Sequence, residues 1–391
     1  MRSIFTRWRV MVGLAGIALG VIVFYFFYSP NQSFAEYALQ VVEKCSEARH
    51  RPSCYDEEIP KLMDKISMND AFTVTKEVQK KDPEYFYCHV LGHKLSAQET
   101  AKDPDKWKEV VASCPAGVCS NGCIHGAFQE RFRAEALPPE KIKAILPDLK
   151  DVCEKRAGWN PTQLEQATCY HALGHLMMYI TSADINQSVA LCRNVAKKGD
   201  GRDISPLCFD GAFMQIFQPL EPEDFALVEG KVPAKKELVS FCKKFSGEEE
   251  NSCWTEGWPL FAEEVKTPKG LVEFCNHFSE EARIKSCLTD LFFIMTAQLG
   301  LDTEKVREFC AGVSAPRRGQ CFATAVSRFI ETDQGLAAQA VGLCGFAEKS
   351  GNGEECYDML LSLASYDFHA GSQEVEQFCD LLPAPWKDQC R

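Results

Sequence analysis

The stretch VEFCNHFSEEARIKSCLTDLFFIMTAQLGLDTEKVREFCAGVSAPRRGQC (residues 272–321) decides the fold of this chain. It contains two cysteine pairs, Cys275 with Cys287 and Cys310 with Cys321, and a polar loop separates the members of each pair. The first cysteine ends one apolar-periodic segment and the second begins the next. Antiparallel helices joined by a short turn bring such cysteines within the Cα–Cα distance of roughly 4.4 to 6.8 Å that a disulfide requires. The stretch therefore predicts two helical hairpins, each closed by a disulfide bond.

The hairpin pattern continues in both directions along the chain. In the second half, two cysteine series advance by 33 to 35 residues per step, and a period near 34 is typical of a two-helix repeat. In the first half the spacing is less regular, and Cys88 and Cys119 remain after the in-frame pairs are assigned, so we expect these two to bond across neighbouring repeats. The predicted pairs are Cys45–Cys54, Cys88–Cys119, Cys114–Cys123, Cys153–Cys169, Cys192–Cys208, Cys242–Cys253, Cys275–Cys287, Cys310–Cys321, Cys344–Cys356 and Cys379–Cys390.

These repeats predict an all-α fold. About ten hairpins of some 34 residues, each in contact only with its neighbours, form a curved, disulfide-stapled α/α solenoid. Residues 35–217 are the N-terminal helical repeats, which carry the histidine clusters, and residues 237–391 are the C-terminal helical repeats. Residues 218–236 form an irregular insertion with three prolines among acidic residues, and we expect it to lie over one face.

This architecture resembles that of the secreted cysteine-rich tetratricopeptide-like repeat proteins, in which a disulfide likewise joins the two helices of each repeat. The Leu-Gly-x-x-Tyr and Ala-x-x-x-Tyr signatures of those repeats are absent here. The resemblance therefore implies an α/α solenoid and a general binding role, and it assigns no catalytic residue.

The N-terminus carries a membrane-insertion signal. Arg2, Arg7 and Arg9 precede an uncharged apolar run, which predicts a cytoplasmic basic segment (residues 1–9), a transmembrane signal-anchor (residues 10–28) and a linker (residues 29–34). The competing interpretation is a signal peptide cleaved near Ala35, which would leave a secreted protein. Either interpretation places the remaining chain outside the cytoplasm, in a bacterial periplasm or at the cell exterior, where paired cysteines are expected.

Composition excludes several classes of function. Once the three N-terminal arginines are set aside, 40 basic and 55 acidic side chains remain, so the extracytoplasmic part carries about −15 and should repel nucleic acid. The sequence has no glycine-rich phosphate loop, and no nucleotide cofactor is expected. It also has no Gly-x-Ser-x-Gly nucleophile motif.

Five of the eight histidines occupy equivalent places in the predicted second helices of the first half. They follow the order pair, single, pair, and the next second helix has an aspartate where a single histidine would stand. The offsets of 82 residues from His89 to His171 and of 85 from His125 to Asp210 indicate a duplicated two-hairpin unit. The candidate metal ligands are His89, His93, His125, His171, His175 and Asp210.

Two histidines separated by four positions project from the same side of a helix, which is the spacing that lets both imidazoles bind one metal ion. We therefore predict two sites, one of three histidines and one of two histidines with a carboxylate; one larger site with all six residues is the alternative. Zinc, iron or copper would suit such ligands. The structural interpretation is that the histidines are buried hydrogen-bonding groups, with Gly92, Gly126, Gly174 and Gly211 present for close helix packing.

Two functions follow from these patterns. In the first, the chain is a membrane-anchored extracytoplasmic scaffold that binds a protein or peptide on its concave face and a transition metal through its histidines. In the second, the first half is a metal-dependent enzyme of the zinc hydrolase or non-haem iron type. The repeats favour the scaffold and the histidine clusters favour the enzyme.

Overall fold

The computed structural model describes residues 32–132, 136–198 and 201–390. Within these ranges the protein is all-helical and has no β-strand, only two isolated β-bridges. The predicted cytoplasmic segment and transmembrane helix, residues 1–28, lie outside the described residues. None of the helices in the described ranges is long and apolar enough to cross a membrane.

The described part of the chain contains twenty-two α-helices and six short 3₁₀-helices. The α-helices of the first half are α1 Phe34–Cys45, α2 Arg51–Glu58, α3 Met68–Lys81, α4 His89–Lys102, α5 Trp107–Ser113, α6 Gly122–Arg131, α7 Pro139–Asp151, α8 Gln163–Ile180, α9 Ile185–Ala196, α10 Ser205–Phe217 and α11 Pro222–Leu227. Those of the second half are α12 Leu238–Cys242, α13 Glu248–Glu256, α14 Ala262–Val265, α15 Pro268–Cys275, α16 Glu281–Gln298, α17 Thr303–Ala311, α18 Ala315–Thr332, α19 Ala337–Lys349, α20 Gly353–Tyr366, α21 Gln373–Leu381 and α22 Trp386–Cys390. The 3₁₀-helices are Pro60–Asp64, Pro104–Lys106, Cys119–Asn121, Lys235–Glu237, Trp258–Phe261 and Gln334–Leu336.

All twenty cysteines lie in the described ranges and none is free. They form ten disulfides, and the pairs are the same ten that the cysteine spacing predicts. Cys88 and Cys119 join neighbouring repeats with a Cα–Cα distance of 4.6 Å. Ten disulfides indicate that the protein resides in an oxidising, extracytoplasmic compartment.

The second cysteine of a hairpin lies deeper in its helix than the sequence predicted. Cys287 and Cys321 are each the seventh residue of their helices, α16 and α18, rather than the first. Both helices begin six residues before the cysteine, because the residues at those positions are compatible with the first turns of a helix. Pro316 is the second residue of α18, where a proline costs no hydrogen bond.

The second helices of successive hairpins form a continuous row in chain order. The row consists of α4, α6, α8, α10, α13, α16, α18 and α20, and each member contacts the next. Their facing sides supply fully buried apolar side chains, including Leu91, Leu173, Phe213 and Phe329. Burial of this apolar surface provides the main stabilisation of the stack.

The row returns on itself. Helix α20 contacts α8, and α18 contacts the 3₁₀-helix Cys119–Asn121. The backbone amide of Gln334 donates a hydrogen bond to the carbonyl oxygen of Gly117 at 3.3 Å. The prediction that each hairpin contacts only its neighbours is therefore wrong.

Candidate metal centre

Two long helices present the histidine pairs. Helix α8 begins with a capping box in which the backbone amide of Glu165 donates to the Thr162 hydroxyl, at 3.1 Å, and the amide of Thr162 donates to the Glu165 carboxylate, at 2.6 Å. This start places His171 and His175 well inside the helix, on one face. Helix α4 presents His89 and His93 at the same spacing, directly after the disulfide-bonded Cys88.

Glycines bring these helices into backbone contact with the helices that follow. A Cβ atom on Gly126 of α6 would lie 2.1 Å from the carbonyl oxygen of His93, and one on Gly211 of α10 would lie 2.0 Å from that of His171. No other residue could occupy either position without moving the helices apart. The predicted role of these glycines in close helix packing is thereby confirmed, and it explains how side chains from adjacent helices reach one another.

The structure gathers the five histidines of the second helices in the first half into one cluster. His125 lies in the middle, with its ring centroid 5.0 and 5.2 Å from those of His89 and His93. On its other side the centroids of His171 and His175 lie 5.7 and 5.2 Å away. The two histidine pairs, predicted as parts of separate sites, are thus neighbours around one histidine.

Within each pair the Nε2 atoms converge. They are 3.0 Å apart in His89 and His93 and 3.1 Å apart in His171 and His175. Such a contact is either an N–H···N hydrogen bond or one edge of a metal coordination sphere. Two nitrogens about 2.1 Å from one metal ion are separated by roughly 3.0 Å at a right angle and roughly 3.4 Å at the tetrahedral angle. The observed distances fit ligands of a common ion.

The first histidine pair and the central histidine form the tightest set. One ring nitrogen from each of His89, His93 and His125 can be chosen so that all three lie within 4.8 Å of one another, and the three side chains are buried. Nε2 of His125 is buried and has no hydrogen-bond partner. Buried polar atoms are rarely left without a partner, so this nitrogen calls for a ligand, and a metal ion would satisfy that need. Nδ1 of His89 and Nδ1 of His93 also lack hydrogen-bond partners, but they lie on the other side of their rings from the converging Nε2 atoms.

Polar side chains from α10 and α11 complete the surroundings of the cluster. Nδ1 of His175 donates a 2.6 Å hydrogen bond to Oε1 of Gln215, so Nε2 of this histidine keeps its lone pair for a ligand. Oε1 of Glu221 lies 3.7 Å from Nδ1 of His93. Tyr179 donates a hydrogen bond to Asp224 and ties the short helix α11 to α8. The segment predicted as an irregular insertion therefore contains a helix and borders the histidines.

Burial favours the neutral form of the histidines. Desolvation lowers the pKa of His89 and of His125 well below the usual range, and neighbouring imidazoles lower both further. It lowers the pKa of His171 to about 3. The pKa of His175 is also lowered by desolvation, although the hydrogen bond with Gln215 opposes the shift. Neutral imidazole is the form that binds metal ions, so protons compete weakly for these nitrogens near neutral pH.

Asp210 has different surroundings from those predicted. Its carboxylate bonds to Ser252, and its strongest electrostatic neighbours are carboxylates on α13 and α16 rather than His171 or His175. Desolvation raises the pKa of Asp210 to about 6. Among the described residues, only His89, His93 and His125 form a set of three metal-ligand side chains with this proximity. The structure thus brings together five of the six predicted ligands and places Asp210 in the next repeat interface.

The other three histidines do not occupy equivalent positions in the repeats, and they lie apart from the cluster. His50 caps α2 through the amide of Ser53. His277 stacks on Trp254 with a centroid distance of 3.8 Å. Nε2 of His369 lies 3.7 Å from Glu165. None of them is needed for a metal site.

Sequence reasoning missed Gln215 and Glu221 as neighbours of the cluster. A signal existed for Gln215, because it stands 85 residues after Glu130, which is the offset that relates Asp210 to His125. Glu221 belongs to the insertion, and the periodicity of the first half does not mark its position.

Fold and site together define an all-helical, disulfide-stapled extracytoplasmic protein with a buried histidine cluster able to hold a metal ion. Comparison of the chain with protein-family models, with curated proteins and with solved structures finds no match in any of the three.

Proposed function

We propose that this chain binds a transition metal in an oxidising extracytoplasmic compartment, using its clustered histidines as ligands. The observation that carries the proposal is the convergence of His89, His93 and His125, whose ligand atoms lie within 4.8 Å of one another in a buried position. Three imidazoles around one ion leave at least one coordination position open. His171 and His175 supply two further nitrogens, either to the same ion or to a second one beside it.

The histidine ligands limit which metal ions the site can bind. Imidazole nitrogen suits zinc, copper, iron and nickel, whereas calcium and magnesium prefer oxygen ligands. We propose zinc, iron or copper as the native ion, and all three are compatible with a cluster in which the ligands are neutral.

The remaining part of the proposal concerns location and partners. We propose that residues 10–28 anchor the protein in a membrane and that the stacked α/α repeats, which resemble tetratricopeptide-like solenoids, offer a concave surface to a protein or peptide. The acidic balance of the chain supports a partner other than nucleic acid. The disulfides and the N-terminal signal support export of the repeats.

The test is elemental analysis of the full-length chain after expression in an oxidising compartment with zinc, iron and copper supplied. At least one equivalent of metal is expected. His89→Ala combined with His93→Ala should remove it, whereas His369→Ala, which alters an exposed histidine outside the cluster, should not. Absence of stoichiometric metal from the wild-type protein would refute the proposal.

A metalloenzyme is the second candidate, favoured by the open coordination position that three imidazoles leave. Zinc-loaded protein would then hydrolyse an activated ester or phosphate ester, and iron-loaded protein would consume dioxygen in the presence of a reductant. Metal binding without either activity above that of the His89→Ala, His93→Ala variant favours the scaffold.

A further inference from the structure

The five clustered histidines are not placed to bind one ion together. Imidazole nitrogens lie about 2.1 Å from a metal ion, so two ligands of one ion are at most about 4.2 Å apart. Ring nitrogens of His89, His93 and His125 lie within 4.8 Å of one another, and we call these three residues the inner site. Among the described residues, no set of three candidate ligands that includes His171 or His175 is as compact. These two histidines therefore stand outside the coordination sphere of an ion in the inner site.

His171 and His175 form a chelating pair of their own, which we call the outer pair. Their Nε2 atoms are 3.1 Å apart, which is the separation expected of two ligands of a common ion. Nδ1 of His175 donates its proton to Gln215, so Nε2 of this histidine is available to a metal. Asp210, the predicted third ligand of this pair, bonds to Ser252 instead. The outer pair therefore supplies two imidazoles and leaves the other coordination positions to water.

The inner site and the outer pair differ in their access to solvent. The side chains of His89, His93 and His125 are buried, with only 5 to 6% of their surface exposed. His171 and His175 are both partly exposed. An ion from solvent therefore meets the outer pair more readily than the inner site.

His125 joins the outer pair to the inner site. Its ring is a member of the inner site, and it also lies beside both rings of the outer pair, with centroid distances of 5.7 Å to His171 and 5.2 Å to His175. On its other side it lies 5.0 Å from His89 and 5.2 Å from His93. An ion that leaves the outer pair thus finds the next imidazole at van der Waals distance, and it can exchange one ligand at a time.

We propose that the outer pair is a second metal site, which takes a transition-metal ion from solvent and passes it to the inner site. The inference rests on the proposed metal binding and adds the route by which the ion enters and leaves. Two imidazoles and water bind the ion weakly and release it readily, whereas three buried imidazoles retain it. The transfer involves no redox change, because imidazole nitrogens of the inner site simply replace those of the outer pair as ligands.

The first test is an equilibrium titration of the metal-free, full-length protein with cobalt(II), whose visible absorption reports coordination. The wild type should bind two equivalents, the second at least about a hundredfold more weakly than the first. His171→Gln combined with His175→Gln should lose the weaker equivalent and keep the tighter one. Glutamine retains a polar group of similar length, and the corresponding double alanine variant should give the same result. His89→Ala combined with His93→Ala should lose the tighter equivalent.

The second test measures rates, which a purely structural role of the outer pair would not change in the same way. Rapid mixing of the protein with half an equivalent of cobalt(II) gives the rate of loading, and mixing the loaded protein with excess chelator gives the rate of release. In the double glutamine variant both rates should fall about tenfold and by the same factor. The factors are equal because loss of a route slows entry and exit without altering the affinity of the inner site.

His369→Gln is the matched control, since His369 lies outside the cluster and carries the same substitution. It should bind two equivalents at wild-type rates. A wild type that binds one equivalent leaves the metal proposal standing and refutes the second site. Unchanged rates in the double glutamine variant, or a weakened tight equivalent, refute the proposed route. A wild type that binds no cobalt refutes the metal proposal and this inference together.

Discussion

Gln215 accepts a 2.6 Å hydrogen bond from Nδ1 of His175, and this contact fixes which imidazole nitrogen faces the cluster. Groups that orient a metal ligand in this way typically contribute 10- to 100-fold to metal affinity. We expect Gln215→Leu to weaken zinc binding by about this factor, as measured by competition with a chromophoric chelator. Gln320→Leu is the control, since Gln320 hydrogen-bonds to Lys285 and Thr289 in the second half. Equal affinities in Gln215→Leu and the wild type would show that His175 takes no part in binding.

The helix contact at Gly126 should be intolerant of any side chain. A Cβ atom there meets the carbonyl oxygen of His93 at 2.1 Å, so Gly126→Ala must separate α4 from α6. We expect a loss of about 3 kcal/mol or more in the free energy of unfolding, measured by chemical denaturation, together with loss of metal binding. Gly342→Ala is the matched control. Gly342 lies in α19, and no atom lies within 4 Å of the place that an alanine methyl group would take, so alanine should stabilise the protein by about 0.5 to 1 kcal/mol.

The carboxyl groups around Asp210 should make the protein less stable as pH rises. The folded state raises the pKa of Asp210 to about 6, above the value of about 3.9 expected in the unfolded chain, so the folded state binds more protons between these values. The stability that this group contributes is therefore fully present below about pH 4 and is lost as pH rises through about 6, by roughly 3 kcal/mol. Asp210→Asn should flatten the profile in that interval, as measured by urea unfolding from pH 4 to 8. If the Asp210→Asn variant showed the same dependence of stability on pH as the wild type, the raised pKa would not belong to Asp210.

The Cys88–Cys119 disulfide should matter for the site as well as for stability. It joins the start of α4, with its histidine pair, to the turn before α6. Replacing both cysteines by serine should cost about 2 to 5 kcal/mol and weaken metal binding. Replacing Cys379 and Cys390, the terminal pair, should lower stability but leave metal affinity unchanged. Thermal melting and chelator competition measure the two effects separately.

Bound metal should stabilise the folded state. An ion present at about 100 times its dissociation constant adds roughly 2.7 kcal/mol to the free energy of unfolding. We expect the melting temperature to rise on addition of zinc and to fall again with a chelator. A variant that lacks His89, His93 and His125 should melt at the same temperature with and without zinc.

The cysteine pairing could be predicted because each hairpin disulfide joins residues close in sequence. Cys45 and Cys54 are 9 residues apart in the sequence, and Cys379 and Cys390 are 11 residues apart. The regular period of the repeats then indicates which two cysteines belong to the same hairpin. The first residues of the helices could not be predicted as well from the spacing of the cysteines and apolar residues. The early start of α18 depends on how Pro316 fits its first turn, which the apolar period does not encode.

The candidate site could be predicted in part. The histidine pairs follow from helical spacing, and His125 from the duplicated unit. Asp210 occupies the position equivalent to His125, but α10 also packs against α13, and the carboxylate faces Ser252 in that interface. The contacts of α18 and α20 with the first half join distant repeats, and they leave no periodic trace in the sequence.

The hydrogen bond between Gln334 and Gly117 joins residues 217 positions apart, and this separation has a consequence for biogenesis. The chain is synthesised from its N-terminus, so the five clustered histidines emerge long before α18 and α20. Until those helices arrive, the first half lacks the contacts that α18 makes with the 3₁₀-helix Cys119–Asn121 and that α20 makes with α8. Metal supplied during export would therefore meet a first half whose histidine helices have not yet been joined to the last repeats.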